Sequence, residues 1–421
     1  MRHPPTFAGQ TDMTTTSAAA AQPVSRNRLL FTSGLGWMFD AMDVGLLSFI
    51  LAALKADWGL SAGQMGWLGA INSIGMAVGA IGFGMLADRI GRKQVFVLTL
   101  LLFAIASGLS AFATTLTVLF VLRFFIGMGL GGELPVASTY VSERVAAHER
   151  GRVVVLLESF WAVGWILAAL IAYFVIPRFD KDMGWRVALL LGALPAFYAL
   201  YLRRKLPDDA PTAPAAAGLP WTARLAALWS PAHARSTVML WVLWFTVVFS
   251  YYGMFLWLPS VMVGKGFALI KSFEYVLLMT LAQLPGYFTA AWLIERAGRK
   301  FVLVVYLTGT AASAWAFGNA DTQGALLLYG ALLSFFNLGA WGALYAYSPE
   351  NYPAPIRASG VGTAAGIGRL GGILGPLAIP FLGAQGWSTG AIFGLFAATL
   401  MVGVLAVALL GRETRGEQAV G

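Results

Sequence analysis

The chain has 421 residues and a formal net charge of +9, with 58% hydrophobic and 11% charged residues. A soluble domain carries roughly a quarter charged residues, so this composition excludes an ordinary water-soluble fold and points to an integral membrane protein. The basic excess is spread over short loops between apolar runs, which assigns it to topology and lipid headgroups and sets nucleic acid aside.

Residues 1–28, rich in Ala, Thr and Ser, predict a disordered tail. At about 20 residues per span, the apolar runs then predict twelve helices, at roughly 30–53, 63–86, 95–113, 117–141, 153–177, 186–203, 237–262, 273–294, 301–319, 324–347, 359–383 and 388–410. The first run is long enough to be a span rather than a cleaved signal peptide. Between the sixth and seventh lies a Pro/Ala stretch ending in an amphipathic segment near Trp221–Trp229. The expected organisation is therefore a first six-helix bundle at 29–203, a linker at 204–236, a second bundle at 237–411 and a tail at 412–421. With these spans, 20 of the 28 lysines and arginines fall in the termini and the even-to-odd loops and 6 in the odd-to-even loops. The positive-inside rule places both termini in the cytoplasm.

Several chemistries drop out. There is no cysteine, hence no disulfide or thiolate metal site. His3, His148 and His233 all fall in segments on the basic side, so no histidine relays protons across the membrane. No phosphate-cradling loop, metal-spaced cluster or G-x-S-x-G appears. We expect no enzyme activity, no catalytic residue, no metal and no organic cofactor.

The stretch Gly84 to Lys93, with Asp88, Arg89 and Arg92, returns as Ala291 to Lys300, with Glu295, Arg296 and Arg299. The shift of 207 positions also carries Tyr140, Glu143 and Arg150 onto Tyr347, Glu350 and Arg357. A hydrophobic chain built of two such copies suits a carrier whose halves rock around a central site.

These repeated loops, the R-F-F-I-G-M-G-L-G-G-E run from Arg123 and the closing G-R-E-T-R-G resemble the major facilitator superfamily over residues 29–416. The first helix from Gly36, F-S-Y-Y-G-M-F-L-W-L-P-S and F-F-N-L-G-A-W-G-A-L-Y-A-Y are similar to its niacin permeases, and more distantly to sugar porters and synaptic vesicle glycoprotein 2. The resemblance implies an all-α fold of twelve helices in two pseudo-symmetric bundles, acting as a monomer in a bacterial inner membrane. It implies proton-coupled import of nicotinate by alternating access, the other transport readings being export or a different aromatic acid. A transport-deficient sensor is the reading from outside transport.

Candidate residues follow from cost and from resemblance. Asp40 and Asp43 sit in the middle of the first helix, where an acid costs about 2.5–3.5 kcal/mol, and Arg123 on the fourth helix can reach one of them. Sugar porters place an Asp and an Arg at the positions matched by Asp43 and Arg123, which implies a proton switch; a structural salt bridge is the alternative. Glu133, and less so Glu158, could also ferry a proton or simply bond to neighbouring helix ends. Trp161 with Trp165, and Trp341 with Tyr345, are four apart and share helix faces. With Tyr251 and Tyr252, whose Y-Y-G is expected to break the seventh helix, they could sandwich a flat ring. Trp161, Tyr252 and Trp341 resemble ligand-binding positions of synaptic vesicle glycoprotein 2. Gln283 and Asn337 could orient polar atoms of a small cargo, and Arg369 could meet its charge. Trp185 and Trp257 suit an interfacial belt. Asp88, Arg89, Arg92, Lys93, Glu143 and Arg150, with Glu295, Arg296, Arg299, Glu350 and Arg357, are expected to latch the cytoplasmic side.

Overall fold

The computed structural model describes residues 26–90, 92–131, 150–204 and 220–415. The expected tail up to residue 25, Glu133, Glu143 and residues 205–219 of the linker lie outside them. Nine stretches among the described residues are helices long and apolar enough to cross a membrane, and Val97–Ser110 and Leu116–Gly131 are shorter apolar ones. Side chains such as Ile81, Phe112 and Phe381 stand exposed on the outer surface, as lipid contact demands.

The first bundle holds α1 (Arg26–Trp58), α2 (Ala62–Ile90), α3 (Arg92–Ser110), α4 (Leu116–Gly131), α5 (Arg150–Phe174) and α6 (Lys181–Arg204). After α7 (Trp221–Leu228), the second holds α8 (Ala234–Phe255), α9 (Leu258–Gly264), α10 (Leu269–Leu281), α11 (Gln283–Ile294), α12 (Arg299–Gly318), α13 (Gln323–Glu350), α14 (Ala354–Ala384) and α15 (Thr389–Leu410). The same pairings recur in each bundle: α1 on α5 answers α8 on α14, α2 on α4 answers α11 on α13, and α3 on α6 answers α12 on α15.

The repeat extends to individual atoms. A Cβ on Gly79 would stand 2.0 Å from the Met128 carbonyl oxygen, and one on Gly286, 207 positions on, 2.2 Å from that of Phe335. Likewise a Cβ on Gly164 would meet the Met38 oxygen at 2.1 Å, and one on Gly371 that of Phe245 at 2.7 Å. Glycine is required at these crossings because backbones touch there, as is usual where helices pack in lipid.

The seventh and eighth spans are each two helices, and proline sets where. Proline lacks the N–H that would bond four residues back and clashes with that carbonyl. Pro259 thus ends α8 at Phe255, and Pro285 ends α10 at Leu281. The expected break at Tyr251-Tyr252-Gly253 does not occur. Helix α8 runs through it, because one glycine costs a helix only about 1 kcal/mol. Pro380 in turn leaves the Pro376 carbonyl free within α14, and the Trp257 indole N–H donates to it at 3.1 Å. Trp257 is therefore buried, not part of an interfacial belt. Trp185 is also fully buried, its N–H donating to Asp57 at 3.2 Å.

The bundles meet along two related seams, α2 with α14 and α5 with α10 and α11. Towards the face opposite the basic loops, Gly66 and Gly69 pack on Pro376 and Pro380, and the Phe49 and Phe273 rings meet edge to face at 5.3 Å. Towards the basic face, the Arg152 backbone N–H donates to Glu295 at 3.0 Å. The bundles thus touch towards both ends of the interface.

Gly286→Ala should lower the melting temperature in detergent, since overpacking costs about 1–3 kcal/mol and the obstacle is backbone. Gly362→Ala in α14, whose added Cβ meets nothing within 4 Å, should leave it unchanged or raise it.

Candidate functional site

At the middle of the interface lies a cavity walled by four indoles, Trp37, Trp161, Trp244 and Trp341, and four phenols, Tyr251, Tyr252, Tyr287 and Tyr345. Glu158 and Arg369 are its charged residues, and Met76, Val248, Ala365 and Gly368 complete the wall. The cavity volume is about 30 Å³, well below the roughly 150 Å³ of a cavity that holds benzene, so a ring-sized guest requires these side chains to part.

The aromatic groups are locked by one another. The Tyr251 hydroxyl, on α8, accepts from Trp161 at 2.7 Å and from Trp165 at 2.8 Å, both on α5 of the other bundle. Tyr345 meets Trp37 edge-on at 5.8 Å and Trp244 at 5.2 Å, and lies roughly parallel to Trp341 at 5.9 Å. The Trp341 N–H has no hydrogen-bond partner among the described residues. Arg369, on α14, bonds to Tyr252 and reaches the Met76 sulfur at 3.4 Å across the interface.

Large groups of one bundle face small residues of the other at repeat-related positions. Glu158 corresponds to Ala365 and Trp161 to Gly368, while Arg369 corresponds to Ala162. Trp165 likewise corresponds to Gly372. The cavity is therefore asymmetric although the frame around it is not.

The expected ion pair forms. Arg123 Nη1 stands 2.9 Å from Asp43 Oδ2, with both side chains at most 5% exposed. Neither residue lines the cavity, so the pair is lodged inside the first bundle and cannot release Arg123 directly to a guest. The repeat positions of Asp43 and Arg123 are Ser250 and Gly330, and the second bundle has no counterpart of the pair. Asp40 is buried and interacts electrostatically with Tyr252.

Some expected contacts are absent. Gln283 and Asn337 are fully buried but do not line the cavity, and neither amide has a partner among the described residues. Tyr287 and Trp341, one turn further along the same helix faces, line it instead. Trp165 lies behind Tyr251 rather than on the wall. Trp37, Trp244 and Tyr287 were not singled out from the sequence, although Trp37 and Trp244 are 207 positions apart like the charged loops.

At the basic face, Arg299 pairs with Glu295 at 2.8 Å and Glu350 at 3.1 Å. Glu413, beyond the last helix, accepts from the backbone N–H groups of Arg299 and Lys300 at 2.8 and 3.1 Å, a negative group at a helix start. Thr414 donates to Glu350 at 2.5 Å, and the Arg415 guanidinium to the Arg296 carbonyl. Arg296 covers the Trp292 ring at 4.2 Å, and Arg357 donates to the Tyr352 carbonyl at 3.2 Å. The side chains of Asp88, Arg89, Arg92, Lys93 and Arg150 lie outside the described residues.

Two apolar bundles packed around a central aromatic cavity fit a membrane carrier for a small molecule. The Major Facilitator Superfamily model matches residues 34–284 and 275–420, and the chain belongs to that family of transporters. It is 62% identical to a Bacillus subtilis (strain 168) protein named for niacin and nicotinamide transport, NiaP, over 94% of this chain and 98% of that one. It is 47% identical to the niacin transporter NiaP of Acinetobacter baylyi, over 92% and 94%. The xylose transporter XylE from E. coli, in a partially occluded inward-open conformation, has the same fold, with a TM-score of 0.75 at 18% identity over 93% of this chain and 99% of that one.

Tyr251→Phe keeps the ring but leaves two buried indole N–H groups without an acceptor. At about 1–3 kcal/mol for each such group, the variant should melt several degrees below the wild type in detergent.

Proposed function

We propose that this transporter imports nicotinate by proton-coupled alternating access, as a monomer in the bacterial inner membrane with both termini cytoplasmic. The observation that carries the reading is the cavity: eight aromatic side chains around one guanidinium, Arg369. Flat rings gain from stacking and edge contacts beyond their area, and a carboxylate gains from a planar guanidinium fork. The Trp341 N–H adds a donor. Nicotinate, a single ring with a single negative charge, needs these groups and little else. The niacin transport for which the two relatives are named supports the same cargo, and the basic loops support the orientation.

The kind of contact that joins the bundles supports alternating access. The contacts between bundles, such as Trp161 and Trp165 on Tyr251 and Arg152 on Glu295, are hydrogen bonds worth about 0.5–1.5 kcal/mol each. A bound guest or entering water can replace them. The Asp43–Arg123 pair differs, since removing one partner of a buried pair costs about 3–5 kcal/mol. Protonation of Asp43 is the mild way to loosen it, and the signal reaches the cavity along α1, through Asp40 and Trp37. Protons are thus the proposed coupling ion, and no other cofactor is required.

Nicotinate should raise the melting temperature of the purified protein, with xylose inert. Trp161→Ala and Trp341→Ala should weaken its binding by about 1–3 kcal/mol; full affinity in both folded variants, measured by calorimetry, would reject the aromatic site. Asp43→Asn mimics the protonated acid but releases no proton. In proteoliposomes it should still exchange labelled nicotinate, while accumulation driven by a pH gradient is lost; undiminished accumulation would move coupling away from Asp43.

A further inference from the structure

Glu158 is the carboxyl group that lines the central cavity, and neither the proposed proton switch nor the basic-face network uses it. It is 2% exposed, and its Oε2 accepts the Trp37 indole N–H at 3.0 Å. Among the described residues it has no ion pair, in contrast to Asp43. One oxygen is therefore committed to Trp37 and the other is left for whatever enters.

Glu158 and Arg369 belong to different bundles and occupy positions that the repeat leaves as Ala365 and Ala162. The two-fold relation of the frame thus does not duplicate either charge. An aromatic-walled space with one carboxyl and one guanidinium can tell the two ends of a flat molecule apart. The guanidinium suits a carboxylate. A carboxyl carrying its proton, as an unpaired acid at this depth of a membrane favours, is a donor and suits an acceptor atom.

Resting on the nicotinate reading above, the geometry points to Glu158 as the residue that recognises the ring nitrogen of the cargo. It donates its proton in a hydrogen bond to that nitrogen while Trp37 holds its other oxygen and Arg369 holds the carboxylate. The ligand class so defined is aromatic monocarboxylates with an acceptor in the ring. Specificity arises because a ligand without that atom leaves a buried donor unpaired, which sites of this kind penalise heavily.

The test compares nicotinate with benzoate, which keeps the ring and carboxylate but lacks the nitrogen, by calorimetry on the full chain in detergent. The wild type should bind nicotinate at least about tenfold tighter. In Glu158→Ala and Glu158→Leu the two affinities should come within about threefold, because nicotinate weakens and benzoate does not. Glu158→Gln, whose amide can accept from Trp37 and still donate, should keep the preference. Benzoate binding reports that each variant is folded. A preference that survives in the Ala and Leu variants, or a loss shared equally by both ligands, overturns the role given to Glu158. A wild type that binds both acids equally also overturns it but leaves the nicotinate reading standing, whereas a wild type that binds neither refutes that reading itself.

Discussion

Lipid offers a polar group nothing to bond to, so the donors and charges inside these bundles turn to protein, although the Gln283 and Asn337 amides and the Trp341 N–H have no partner among the described residues. The way each is answered sorts the structure into parts that stay together and parts that separate. Arg123 and Asp43 answer each other within one bundle, as do Trp257 and the carbonyl that Pro380 leaves free. These contacts survive any rocking of one bundle on the other. Trp161 and Trp165 are answered by Tyr251 across the interface, and the Arg152 backbone by Glu295. These are the contacts that the proposed alternating access would exchange.

The glycine crossings set the precision with which this happens. Met38 on Gly164 and Phe245 on Gly371 bring α1 onto α5 and α8 onto α14 at backbone contact. Trp37 and Glu158, which lie on the first of these pairs, are held 3.0 Å apart by a scaffold that has no slack. The second bundle has an added clamp, because the residues after α15 fasten the start of α12 through Glu413 and join Glu350 through Thr414. Among the described residues, charge at the basic face is therefore spent mostly on holding the second bundle together, with Glu295 reaching over to the first.

Much of this was legible in the sequence, for reasons that differ by residue. Span number and repeat could be read because hydrophobic length and loop charge are properties of composition along the chain. Arg123 could be paired with a first-helix acid because buried charges at neighbouring depths have few other ways to be neutral, and the resemblance to sugar porters chose Asp43 over Asp40. The cavity was only half legible. Gln283 and Tyr287, like Asn337 and Trp341, share a helix face, so which of them reaches the cavity depends on depth along the helix, and a helix apolar all round carries no mark of that. The seventh helix was misjudged by weighing Gly253 above Pro259, although only proline removes a backbone bond. Trp37 and Trp244 carried a usable sign, their spacing of 207, that attention to the charged loops concealed.

The exchange of large for small across the interface bears on how such a protein could have arisen. Trp161 has Gly368 at its repeat position, Glu158 has Ala365, and Arg369 has Ala162. A homodimer of the first half would carry the indole and the acid twice and this guanidinium not at all, and a homodimer of the second the reverse. Neither assembly would hold this set of side chains. Fusion into one gene freed each copy to change alone, and the binding site is where that freedom was used.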